Sequence, residues 1–224
     1  MTESTSSNAP FSALDAIRNH INSTTVADEA LVAARDDAAE FGLSTPDDVS
    51  GSVLTMLMTL ATARRTTNAA AVAATPAAGV VGLHLIAGMP NGGQLTCIDP
   101  EIEHQKLARD AFKRAGAVAS RHRFLPSHPR EVLGRLALDA YDLVYINAEP
   151  TDVIAIQELA WPLLRSGGVL VFTGVLLDGT VADDTRTDRD TVAAREAEKH
   201  LLAIEDATIA RLPIGAGTVV LVKN

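Results

Sequence analysis

Aromatic side chains are scarce: five Phe, two Tyr and one Trp in 224 residues. A core of this size must be filled by Ala, Val, Leu and Ile, which suits helices packed closely on a sheet. Cysteine is scarcer still. Cys97 stands alone inside an apolar run, so no intrachain disulfide can form and the thiol reads as small core filler. Excess positive charge is missing too: 28 Asp and Glu against 19 Lys and Arg give a net charge of −9, scattered along the chain. Such a surface repels phosphate backbones, so nucleic acid is not an expected partner. No apolar run approaches the roughly 20 residues that span a bilayer. Met1 to Pro10 is rich in Ser and Thr and lacks the apolar stretch of a secretory leader. Together these absences predict a cytoplasmic location and no membrane partner.

What is present has a clear rhythm. The length predicts residues 1–9 as a disordered tail and 10–224 as one domain, with helices over 10–65 and an alternating core over 69–224. Helical spacing of apolar residues marks Phe11 to Ile21, Val26 to Phe41 (closed by Gly42) and Pro46 to about Ala63. Strands are then predicted over 69–74, 94–98, 122–125, 141–146 and 168–173. Helices are predicted over 79–89, 101–115, 129–138 and 151–164, followed by 188–203 with Thr187 and Asp190 as a capping pair. Thr208 to Leu212 and Thr218 to Val222 complete seven strands. The loop Pro213 to Gly217 is too short for a parallel crossover, so this last pair must be antiparallel. Repeated βα units with apolar strands give an α/β, doubly wound, mostly parallel seven-stranded sheet with an antiparallel last strand. Propensity alone would make Ala69 to Ala74 helical; only its strand–turn–helix context makes it the first strand.

That turn is where a cofactor loop belongs in such a fold. It reads Ala73-Ala74-Thr75-Pro76-Ala77-Ala78-Gly79, and an acid, Asp99, closes the next strand about twenty residues on. A carboxylate at a strand's C-terminal end can accept two ribose hydroxyls, although Asp99-Pro100 is also a helix-start signal. The glycines that let a backbone approach a cofactor are mostly absent.

Five further segments, Gly92 to Glu101, Tyr141 to Glu149, Leu163 to Val171, Leu177 to Asp183 and Leu212 to Gly217, resemble the S-adenosylmethionine (SAM)-dependent O-methyltransferases of the catechol and caffeoyl-CoA type. The resemblance covers residues 46–224 in order. It implies a Rossmann-like methyltransferase fold, SAM as cofactor, a small-molecule substrate and a homodimer. It places cofactor contacts at Thr75, Gly79, Asp99, Ser127, His128 and Asn147, and makes Asn147 the one catalytic candidate.

The chain also departs from that family. Where the first motif has an acid, a glycine and a serine, this sequence has Ala73, Thr75 and Val81. Each hydrogen bond lost to a charged group costs about 1.5–3 kcal/mol, so cofactor affinity is expected to be weakened. Where cation-dependent members hold Mg²⁺ with Asp, Asp and Asn, the residues are Asn147, Thr173 and Gly174, and the lysine near the attacking hydroxyl is Pro150. One amide and one hydroxyl are a poor set for a hard cation, so no metal is expected. Glu149, Asp152 and Asp178 are the acids nearby in sequence. Two readings follow. One is a metal-independent small-molecule O-methyltransferase; the other is a catalytically inactive relative kept as a binding or dimerisation module. A dinucleotide reductase is disfavoured by the missing glycine fingerprint and the terminal hairpin.

Overall fold

A computed structural model describes residues 12–26, 28–63 and 68–224; the expected tail over 1–9 lies outside them. Three helices come first. α1 (Ala13–Thr24) is capped by Ser12, whose hydroxyl accepts the Asp15 N–H while Asp15 reaches back to the Ser12 N–H. α2 (Glu29–Glu40) ends in a Schellman turn: Gly42 takes φ +66°, and the Leu43 N–H reaches the Ala38 carbonyl at 2.9 Å. α3 (Asp48–Thr62) starts at Asp47, which accepts the Ser50 N–H at 2.8 Å.

The alternating part follows as β1 (Ala70–Ala74), α4 (Ala78–Gly88), β2 (Gln94–Ile98), α5 (Ile102–Arg114), β3 (His122–Leu125), α6 (Pro129–Val132), β4 (Tyr141–Asn147), α7 (Val153–Ala160), β5 (Leu164–Thr173), α8 (Arg189–Leu202), β6 (Ala207–Leu212) and β7 (Thr218–Lys223). The seven strands form one sheet in the order β3-β2-β1-β4-β5-β7-β6. All neighbours are parallel except β7, which runs antiparallel to both β5 and β6. The predicted architecture is therefore the observed one.

Period two along the strands divides the core. Ala71, Ala73, Leu143, Tyr145, Val169 and Val171 face α3, α4 and α5, while Val72, Ala74, Val144, Ile146, Leu170 and Phe172 face α7 and α8. The alanine-rich β1 is a strand because tertiary burial overrides propensity. It sits between β2 and β4, four of its five residues are buried, and Asp142 on β4 accepts the Ala70 N–H at 2.7 Å.

Several boundaries differ from expectation, among them the start of β5, expected at 168 and found at Leu164. The helix expected over 129–138 is only the single turn α6 and a 3₁₀ turn through Arg135, beyond which Leu136 is extended. The helix expected over 151–164 is regular only across α7, because Pro162 has no N–H to continue the ladder. The cap of α8 is Asp188, not the pair Thr187 and Asp190. Asp188 accepts both the N–H and the hydroxyl of Thr191 at 3.0 Å.

Candidate active site

The C-terminal ends of β1, β2, β4 and β5 open on two adjoining cavities, as expected at the point where strand order reverses. The first, a cleft of about 350 Å³, lies over β1, β2 and β4. Its walls include Thr75, Pro76, Asp99, His104, His128, Asn147 and Asp152. The second, of about 360 Å³, lies between the start of α3 and the ends of β4 and β5. Asn147 lines both.

Asp99 is 5% exposed and held in one orientation. Its Oδ1 accepts the Glu101 N–H at 2.7 Å and faces His104 Nδ1 at 3.1 Å, while Gln105 donates to its backbone carbonyl at 2.7 Å. With Asp99 ionised, His104 must carry its proton on Nδ1. Oδ2 has no hydrogen bond among the described residues, so this carboxylate holds the turn before α5 with one oxygen and has the other open to a ligand. A ribose diol fits that donor-seeking oxygen. His104 was not legible as part of the site. Its signal is its position five residues after the acid, in the first turn of α5.

The loop after β1 keeps its donors to itself. The Thr75 hydroxyl accepts the Ala77 N–H at 3.2 Å, the Thr75 N–H donates to the Ile98 carbonyl at 3.2 Å, and Pro76 has none to give. Ala73 and Val81, standing where the resembled family has an acid and a serine, are fully buried against Leu85 and Leu95. The lost polarity has thus been absorbed into the core. Thr75 and Pro76 line the cleft without filling it.

The remaining candidates separate. His128 lines the cleft, with its Nε2 3.9 Å from Asp152 Oδ2, and Arg130 holds the same carboxylate at 2.9 Å. Ser127 does not line it; its hydroxyl donates to Glu131 at 2.9 Å. Gly79 does not line it either. A Cβ there would meet the Ala108 Cα at 3.3 Å, so this glycine permits the close crossing of α4 and α5.

The second cavity combines an apolar wall, Val53, Leu54, Leu57 and Val171, with a polar end formed by Ser50, Tyr145, Asn147, Thr173 and Thr218. Burial pushes the Tyr145 hydroxyl far up, against a smaller opposing effect of its hydrogen bond with Thr173. It is therefore a proton donor at neutral pH and not a base. Arg18 reaches in from α1, donates to the Pro213 carbonyl at 2.7 Å and lies 3.8 Å from Asp47. Asp178 sits beside Leu177 and Gly179, all three with positive φ. Ser50, Tyr145 and Arg18 carried no signal in the sequence, because each gains meaning only from what it faces. Asn147, Thr173 and Gly174 do not fit Mg²⁺: their side chains offer one amide, one hydroxyl and no anion. Among the described residues, no three His, Cys, Asp or Glu side chains converge as a metal site.

Comparison with known proteins agrees with this layout. An O-methyltransferase family profile matches residues 29–224. A protein of Mycolicibacterium smegmatis assigned to the O-methyltransferases is 36% identical over 213 residues, spanning 95% of this chain and 99% of its own. A Corynebacterium glutamicum crystal structure superposes with a TM-score of 0.90 at 49% identity, covering 94% of this chain and 97% of that one. The Bacillus cereus O-methyltransferase in complex with SAH, the demethylated form of SAM, shares the fold at a TM-score of 0.79 and 20% identity, covering 93% and 97%. The chain is a member of the O-methyltransferase family.

Proposed function

We propose that the chain transfers a methyl group from SAM to a hydroxyl of a small molecule, and does so without a divalent cation. The observation that carries this is the meeting of two cavities at Asn147: one has an oriented carboxylate suited to a ribose, the other has room and an apolar wall for an acceptor. Family membership supports the reaction, as do the fold relatives described in complex with SAM or SAH.

Bound in the cleft, SAM supplies an electrophilic methyl on sulfur. The chain's own residues have simpler tasks. Asp99 Oδ2 accepts the ribose hydroxyls, His128 flanks the nucleoside, and Thr75 with Pro76 forms the wall at the turn. Gly79 supports that turn from behind, and Ser127 steadies Glu131 in α6. Asn147 offers amide donors where the two chambers join, the place at which acceptor and donor must be aligned. SAH would be the leaving group and the acceptor's hydroxyl proton would pass to water; with no metal to lower a hydroxyl pKa, the rate rests chiefly on placement, an effect that reaches about 7–11 kcal/mol in well-oriented systems. The same reading takes the protein as a cytoplasmic homodimer; light scattering of the eluting peak tests the dimer.

Calorimetric titration with SAM and SAH tests the cofactor. Micromolar affinity is expected, and an absence of heat at millimolar ligand would overturn the reading in favour of an inactive relative. Transfer of labelled methyl to a panel of hydroxylated aromatics should proceed equally with Mg²⁺ or with chelator. Loss of transfer on chelation would refute the cation-free part.

A further inference from the structure

Three hydroxyls converge on the turn between β6 and β7 from three different elements. A Cβ placed on Gly215 would lie 2.6 Å from Thr173 Oγ1, 3.3 Å from Thr218 Oγ1 and 3.8 Å from Ser50 Oγ. Two of the three are committed. Thr173 donates to the Gly215 carbonyl at 3.0 Å, and Thr218 to the Ile214 carbonyl at 2.9 Å. Ser50 Oγ is buried, with the residue only 7% exposed, and has no hydrogen-bond partner among the described residues. It lines the larger cavity from the first turn of α3.

An orphan of this kind is rare, because a helical serine normally returns its proton to a nearby carbonyl. Here the backbone is already satisfied, since the Ser50 N–H goes to Asp47. The hydroxyl is left able both to donate and to accept, and its residue borders the space lined by Val53, Leu54 and Leu57. The charges at this cavity have a definite balance. The Arg18 guanidinium is occupied by the Pro213 carbonyl and faces Asp47, which leaves the carboxylate of Asp178 uncompensated. An acceptor with its own carboxylate or phosphate meets like charge there.

We propose that Ser50 anchors the hydroxyl of the acceptor, and that the cavity selects compact, uncharged, largely apolar hydroxyl compounds. The fate of that hydroxyl rests on the methyl-transfer reading above; its binding does not.

The test uses the full chain saturated with SAH, with 2-naphthol as probe read by its own fluorescence. Ser50→Ala should weaken 2-naphthol five- to tenfold. SAH affinity should stay the same, and the melting temperature should be equal or higher, since no native hydrogen bond is lost. The anion 3-hydroxy-2-naphthoate should bind the unaltered protein at least tenfold more weakly than 2-naphthol. Unchanged 2-naphthol affinity in Ser50→Ala, no 2-naphthol binding at all, a lowered melting temperature, or tighter binding of the anion would each overturn the proposal. If the binding effects appear and no acceptor is ever methylated, the methyl-transfer reading fails and the anchoring role stands.

Discussion

Acidification should destabilise this fold through one histidine. His84 on α4 lies beneath α3, with its Nδ1 3.3 Å from Thr55 Oγ1. The Thr55 hydroxyl has carbonyls of Gly51 and His84 within 3.2 and 3.1 Å, so it spends its proton there and Nδ1 must be the donor to it. Nε2 is left buried without a partner among the described residues, packed so tightly that a Cβ on Gly51 would sit 2.2 Å away. A proton added at Nε2 would find no acceptor. Desolvation, reinforced by the nearby Arg35, lowers the His84 pKa from 6.5 to about 4. Because the folded value is the depressed one, the unfolded chain binds the proton first as pH falls. The stability that neutral His84 contributes is thus complete above about pH 6.5 and is lost on the way down to about 4. At 1.36 kcal/mol per unit, the loss is about 2 kcal/mol by pH 5 and about 3 kcal/mol by pH 4. Urea unfolding of the native chain and of His84→Gln across this range isolates the effect, since the carboxylates common to both cancel in the difference. A difference that stays flat from pH 7.5 to pH 4 would refute the reasoning.

Other positions give sharper local outcomes. Asp99→Asn should weaken SAH binding about 10- to 100-fold, the scale of a charge-assisted hydrogen bond, in a calorimetric titration. Gly88→Ala should destabilise by about 1–3 kcal/mol in denaturant unfolding, by overpacking. The added Cβ would lie 2.3 Å from the backbone oxygen of Thr55 on α3, where no rotamer change can relieve it. Asp188→Ala should lower the melting temperature while Thr187→Ala leaves it unchanged, because only Asp188 caps α8. Gly79→Ala should disturb the packing of α4 on α5 more than it disturbs SAH affinity, measured on the same sample.

The parts of the fold visible in the sequence are those whose cause is local or periodic. Strands such as Leu143 to Ile146 are buried on both faces and so read as continuous apolar runs, and the short loop Pro213 to Gly217 forces an antiparallel pairing wherever it occurs. Asp99 was legible because strand, turn and acid recur at fixed spacing. Failures came where neighbours compete for one role. Thr187, Asp188 and Asp190 are all capping residues, and only the backbone decides which is in register. The degraded turn after β1 predicted weakened cofactor binding. The change is real, but much of it points into the core, where Ala73 and Val81 are buried. Ser50 and His84 were not legible at all. Their significance is a missing partner, and that is a property of how distant segments meet.

The first strand has a consequence for anyone altering this protein. β1 presents only methyl groups and one valine to its two neighbouring layers, so it acts as the thinnest shim the backbone allows. Val81 and Leu85 of α4 pack on the side of it that carries Ala71 and Ala73, and α3, with Leu54 and Met58 in the same cluster, packs on α4 and on β4 and β5. Lengthening either alanine by a few carbons would lift that helical layer off the sheet, carrying with it the Ser50 end of α3. The aperture between α3 and β4 is thereby set from below, by two alanines, Ala71 and Ala73, that line neither cavity.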